Sequence, residues 1–194
     1  MSKYHWIIDN GHGYNTKGKR SPFWPNGSQL FEWEFNRILS HQLVDLLAKN
    51  KIEHTLLVPE KEDIPLEERS ERADNIEGNT ALISIHGNAA RSRKAQGMEV
   101  YTSPGQTKAD PMASILLQEL SQLGWAMRYD YWTDDDPDKE AKFHMLMKTK
   151  MPAMLSENGF YTNFVECSKM LNPSHQRKIV KAHFQAIKKI EAQL

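Results

Sequence analysis

Short apolar runs alternate with longer amphipathic stretches along the whole chain, and this alternation restricts the fold to the α/β class. The runs are Trp6–Ile8, Ile52–Val58, "ALISIH" at Ala81–His86, Met98–Thr102, and Met151–Ser156, which ends at Glu157. Between them, 33–48 carries Phe35, Ile38, Leu39, Leu43, Leu46 and Leu47 at helical spacing. A charged helix is expected over 65–76, with Pro65 near its first turn. Another is expected over 110–123, with Asp110 as N-cap and Pro111 at the first helical position. Asn172-Pro173 starts a last helix to about Ala192, striped by Ile179, Val180, Phe184, Ile187 and Ile190. The stretch 141–148 fits neither pattern. No repeat or linker divides the chain, and 194 residues suit one domain with a real core.

Polar residues collect where the strands end: Asp9 to His12, His86 to Asn88, and Glu157-Asn158. Strand ends in α/β sheets open onto crevices, so a site is expected there. Lys plus Arg equals Asp plus Glu at 25 each. That balance argues against affinity built on neutralising a polyanion, and no nucleic-acid partner is expected. Arg91, Arg93 and Lys94 read as a solvated loop. The one cysteine, Cys167, excludes an internal disulfide. No window is apolar enough to span a bilayer, so no membrane insertion is expected. Met1 to Trp6 holds no apolar signal stretch, so action outside the cytoplasm is expected to need another export or release route.

The turn "IIDNGHGYNTKGKRSP" poses a choice between a phosphate and a metal. Gly13, Gly18 and Lys19 sit at G-x-x-x-x-G-K spacing. Arg20 stands where Ser or Thr would hold magnesium, and Pro22, Pro25 and Gly27 forbid the helix a phosphate loop requires. The best buried strand ends in His86 rather than in an acid. The nucleotide reading fails on those three points. A metal needs donors on rigid supports, and His12 and His86 both follow strand-like runs and precede glycine. Glu32 opens the first helix. Each residue alone more often serves structure, and H-E-x-x-H and cysteine pairs are absent.

Read in order, the pieces resemble the type-3 class of zinc-dependent N-acetylmuramoyl-L-alanine amidases, found in bacterial wall hydrolases and phage endolysins. "IIDNGHG" is similar to the family's first strand and D-x-G-H-G turn. "FEWEFNRILSHQL" is similar to its glutamate-led helix, with Asn36 at the family asparagine. "ALISIHGNA", "GMEVYT" and "MPAMLSENGFYTN" follow, and the match runs from about Ile7 to Asn163. Tyr14 replaces a family glycine, Gly87 stands where alanine is common, and the loop from Asn15 to Gln29 is long and aromatic.

The resemblance implies one catalytic α/β domain over 1–194, of the phosphorylase/hydrolase-like kind. Its central sheet would be mixed but mostly parallel, with helices on both faces. It implies one Zn2+ per chain held by His12, Glu32 and His86, with Glu34 a rival to Glu32. Glu157 would be the catalytic acid–base. The expected substrate is peptidoglycan, cut between N-acetylmuramic acid and L-alanine by a monomer acting on the wall after release, as an endolysin or prophage enzyme does. A zinc peptidase of related fold and an inactive wall-binding domain are the rival readings.

Other residues keep two readings. Asp9 orients a ligand histidine or caps its turn. Asn88 binds substrate or closes its turn. Trp24, with Phe23 and Trp33, forms a substrate platform or a hydrophobic staple over the first helix. Asp134-Asp135-Asp136 reads as a solvated loop, with calcium binding as the alternative.

Overall fold

A computed structural model describes residues 2–194. Its elements are β1 (His5–Asn10), α1 (Glu32–Lys49), β2 (His54–Leu56), α2 (Leu66–Asp74), β3 (Thr80–Asn88), β4 (Met98–Thr102), α3 (Asp110–Ser121), β5 (Lys139–Glu140), α4 (His144–Lys148), β6 (Ala153–Phe160), α5 (Phe164–Met170) and α6 (Pro173–Gln193). The six strands form one sheet in the order β2-β1-β3-β6-β4-β5. All neighbours run parallel except β4 and β6, which are antiparallel.

Strand alternation divides the core. Trp6, Ile8, Ala81, Ile83 and Ile85 point to one face, which α1, α3 and α6 cover. Ile7, Leu82 and Leu155 point to the other, where Ala73 of α2 and Met145 and Leu146 of α4 meet them. The expected α/β sheet with helices on both faces is therefore the observed architecture. Helix α1 buries Phe35, Leu39, Leu43 and Leu47, one residue every four along a single stripe. Asn172 caps α6 by accepting from the Ser174 amide, and Pro173 follows at the first position.

Three expectations need correction, and one element was not anticipated. The second strand shrinks to His54–Leu56, because it pairs only with β1 at the sheet edge. The last strand continues past Glu157 to Phe160, because Asn158 also pairs with Met98 of β4. Asp110 is not the cap of α3: Ala109 holds that place, and Asp110 accepts from the amide and hydroxyl of Thr107, each at 2.5 Å. Helix α5 is an element that apolar periodicity did not reveal, although its cap, Asn163, accepts from the Val165 and Glu166 amides.

Register sets the functional geometry. His86 on β3 pairs with Glu157 on β6, and Glu157 pairs with Glu99 on β4. Glu157 thus lies mid-strand beside His86, with its backbone fixed from both sides.

Candidate metal centre

The turn after β1 is built around two close approaches. A Cβ on Gly11 would lie 1.9 Å from Cε1 of His86, so only glycine leaves room for that imidazole. A Cβ on Gly13 would lie 2.0 Å from the Asp63 amide nitrogen. His12, between them, adopts φ 68°, a left-handed conformation that costs a non-glycine residue energy.

The surrounding structure holds that turn in place. The Asn36 amide donates to the Gly11 carbonyl at 2.9 Å. The buried Arg69 guanidinium donates to Asp9 Oδ1 at 2.6 Å and to the carbonyls of Asn10 and His12 at 3.1 and 3.4 Å. Arg69 also reaches Asp63 at 3.0 Å. Asp9 accepts a second bond, from Ser84 at 2.5 Å. Both Asp9 oxygens are therefore occupied away from the histidines, and its role is to anchor Arg69. Nothing in the charged sequence "LEERSERAD" distinguishes a buried arginine from a solvated one.

Three donors converge in front of the turn. His12 Nε2 lies 3.2 Å from Glu32 Oε1, and His86 Nδ1 lies 3.0 Å from the same oxygen. The two imidazoles stand edge to face with centroids 5.0 Å apart. Tetrahedral zinc with bonds of about 2.0–2.1 Å separates neighbouring donors by about 3.3 Å, so two nitrogens and one carboxylate oxygen at this spacing fit such an ion. The second Glu32 oxygen accepts from Tyr161 at 3.1 Å, and Lys19 Nζ stands 3.9 Å from it. Burial opposes ionisation of Glu32, but hydrogen bonds from His12 and His86 overcome it and hold the carboxyl well below the usual range. Burial likewise works against a charged His86, and the adjacent Glu32 outweighs it, raising the imidazole's pKa. Glu34 is exposed and plays no part in this cluster.

His12, Glu32, His86 and Glu157 line one cavity of about 650 Å³. Burial pushes the Glu157 carboxyl up to about 8, with Glu32 and Glu99 adding to the effect and His86 opposing it. Its Oε2 is shielded from solvent and has no hydrogen-bond partner. Asn158, the next residue, donates to the His86 carbonyl at 3.0 Å and to Ser156 Oγ at 3.1 Å.

The remaining expected site residues separate. Asn88 lines the cavity, but its amide donates to Glu99 at 2.7 Å and its Oδ1 accepts from Ala89. Trp24 does not line it. That indole is 5% exposed and packs edge-on against Phe164, 5.2 Å between centroids, because the aromatic loop folds back into the core. The platform expected of Trp24 is corrected on that ground. Cavity residues not anticipated include Lys19, from the turn that imitates a phosphate loop, Tyr161, and Phe143 and His144 at the start of α4.

Two strand ends and a helix start thus bring two histidines and a buried glutamate, a donor set able to hold a metal ion, into one cavity with an uncompensated carboxyl, the kind of centre a hydrolase uses. The family model described as N-acetylmuramoyl-L-alanine amidase matches residues 7–189, and the chain belongs to that family. The chain is 28% identical to YqiI of Bacillus subtilis over 178 residues, covering 90% of this chain and 79% of that protein. It is also 28% identical to the N-acetylmuramoyl-L-alanine amidase CwlM of Bacillus licheniformis, covering 91% of this chain and 64% of the relative. Of B. subtilis LytC it spans 33%. The crystal structure of an N-acetylmuramoyl-L-alanine amidase from Clostridium difficile 630 superposes with a TM-score of 0.87 at 26% identity, covering 100% of this chain and 99% of that one.

Proposed function

We propose that this chain hydrolyses the amide between N-acetylmuramic acid and L-alanine of peptidoglycan, with one Zn2+ held by His12, Glu32 and His86 and with Glu157 as the acid–base group. The observation that carries the reading is the unpaired carboxyl of Glu157 beside a three-donor cluster in one cavity. Family membership supplies the bond that is cut.

An amide resists water because resonance stabilises its carbonyl and because the amine leaves poorly. Zinc, when bound, supplies a Lewis acid that acidifies water and polarises a carbonyl. The chain's own residues do the rest. Tyr161 holds the second oxygen of Glu32 at 3.1 Å, which keeps the first oxygen turned towards His12 and His86. Glu157, whose carboxyl lines the cavity, takes the proton of the attacking water and returns it to the leaving nitrogen. A carboxyl raised by burial suits both halves of that transfer, which is worth about 10²–10⁴-fold in rate. Asn88, its amide tied to Glu99, forms the substrate-facing wall beside this group. Among the described residues no helix is long and apolar enough to cross a membrane. Work on the wall as a monomeric endolysin or prophage lysis enzyme belongs to the same proposal.

The test is digestion of purified muropeptides with mass analysis of the products. Intact stem peptides beginning with L-alanine are expected from the zinc-loaded protein. Glu157→Gln should keep its zinc and lose about 10²–10⁴-fold in turnover, whereas His12→Ala and His86→Ala should lose the metal. Cleavage inside the stem peptide would point to a peptidase instead. Binding without cleavage would leave a wall-binding domain.

A further inference from the structure

A second group of oxygen donors lies beyond β4, outside the cavity just described. Asp110, at the start of α3, and Asp136 and Asp138, in the loop before β5, each bring a carboxylate oxygen within 4.8 Å of the other two. Asp138 is 1% exposed. Its Oδ2 accepts from Thr102 of β4 at 2.7 Å, while its Oδ1, equally buried, has no partner. Asp134 Oδ1 and Asp136 Oδ1 are likewise shielded and unpaired. Glu140 stands beside them and accepts from the Gly105 amide at 2.7 Å.

Nothing positive answers this charge. Among the described residues no lysine or arginine pairs with Asp110, Asp134, Asp136, Asp138 or Glu140. Lys139, between two of the acids in sequence, turns to Glu99 instead. Like charges this close repel, and a buried carboxylate oxygen without a donor carries its full desolvation cost. The loop buries Asp138 and half-buries Asp134 and Asp136 against a sheet edge, each with one oxygen turned away from solvent, while Asp135 stays exposed.

We propose that Asp110, Asp136 and Asp138, with Asp134 and Glu140 around them, form a binding site for a divalent, oxygen-preferring cation, best matched by calcium. The donors are all carboxylate oxygens, the set that hard cations take, with no nitrogen or sulfur to select zinc. Opposite oxygens on one calcium ion lie about 4.8 Å apart, twice a bond of about 2.4 Å, so three carboxylate oxygens that all lie within 4.8 Å of one another can share one such ion. Such an ion clips three pieces together: the start of α3, the end of β4 through Thr102 and Asp138, and the loop that leads into the two-residue edge strand β5. The same loop carries Trp132, 97% exposed, so the clip also fixes where that indole is presented.

The experiment is calorimetric titration of CaCl2 into the zinc-loaded protein in calcium-depleted buffer, paired with thermal unfolding. One saturable site per chain is expected, with Kd of about 10⁻⁵–10⁻³ M. At a hundredfold excess over Kd, Tm should rise by about 5–10 °C. Asp138→Asn and Asp136→Asn should each weaken binding at least about tenfold while leaving the circular dichroism spectrum intact. Should Asp138→Asn fail to fold, Asp136→Asn, at a half-buried position, decides the matter. The proposal is overturned if CaCl2 up to about 10 mM gives neither saturable heat nor a Tm shift. It is equally overturned if Asp136→Asn binds as the parent does, or if ZnCl2 saturates this site while CaCl2 is silent.

Discussion

Acid should destabilise this fold through His183. That imidazole lies on α6 and is 1% exposed. Its Nδ1 stands 2.9 Å from the Ile179 carbonyl, which can only accept, so Nδ1 carries the proton. Nε2 is then the acceptor for the Ser156 hydroxyl at 2.9 Å. A second proton on Nε2 would remove that acceptor inside an apolar core. Burial, weakly opposed by the Ile179 carbonyl, accordingly holds the group down at about 4, against 6.5 when exposed. The folded value is depressed, so below about pH 6.5 the unfolded chain binds the proton that the folded chain refuses. Stability present at neutral pH is lost as pH falls from 6.5 towards 4. Between pH 7 and pH 4.5 the loss from this one group comes to about 2.5 kcal/mol. The assay is denaturant unfolding of zinc-loaded parent and His183→Gln side by side across that range. Losses common to both, including any release of metal, cancel in the difference. At pH 7 the variant should be less stable, by about 1 kcal/mol for each lost hydrogen bond. At pH 4.5 the gap should have moved by about 2.5 kcal/mol in the variant's favour. A gap that stays constant within about 0.5 kcal/mol would refute the assignment of a refused proton to His183.

Two further substitutions probe the turn that carries His12. Arg69→Met strips the guanidinium from a buried Asp9 and should cost about 3–5 kcal/mol in denaturant unfolding; a cost under about 1 kcal/mol would mean that Ser84 alone satisfies the carboxylate. Gly11→Ala places a methyl where the His86 ring stands and should lower zinc content while circular dichroism still reports a folded chain. Full zinc occupancy in that variant would show that the ring has room to move.

The parts of the fold that were readable from sequence are those with one dominant period. Helices α1 and α6 and strands β1, β3 and β4 carry long enough apolar patterns to identify themselves. Helix α5 and strand β5 span seven and two residues, too few for a period to emerge. For the site, spacing alone left His12, Glu32 and His86 as separate strand-end and helix-start residues. Only the ordered resemblance joined them, because donors drawn from the turn after β1, from β3 and from α1 share no local signature. Arg69 and Asp138 stayed hidden for a common reason. Both are charged residues in charged stretches, and their burial comes from which distant backbone they dock against, a fact that no local window contains. Trp24 misled in the opposite direction: an aromatic loop near the metal turn suggests a platform, yet tertiary packing took the ring into the core.

Buried polar side chains support the centre from two sides. His183 bonds Ser156, Ser156 bonds Asn158, and Asn158 bonds the backbone carbonyl of His86. From the other side Arg69 holds the carbonyls of Asn10 and His12. Each histidine of the cluster is therefore fixed through its main chain by a buried side chain that never touches the donors themselves. A site held in this way loses precision before it loses residues, since a hydrogen bond removed far from the cavity lets a strand end shift while every donor remains present. Glu157 shares that dependence. It lies between Ser156 and Asn158, so the same network that fixes the His86 carbonyl sets where the acid–base carboxyl stands relative to the three donors.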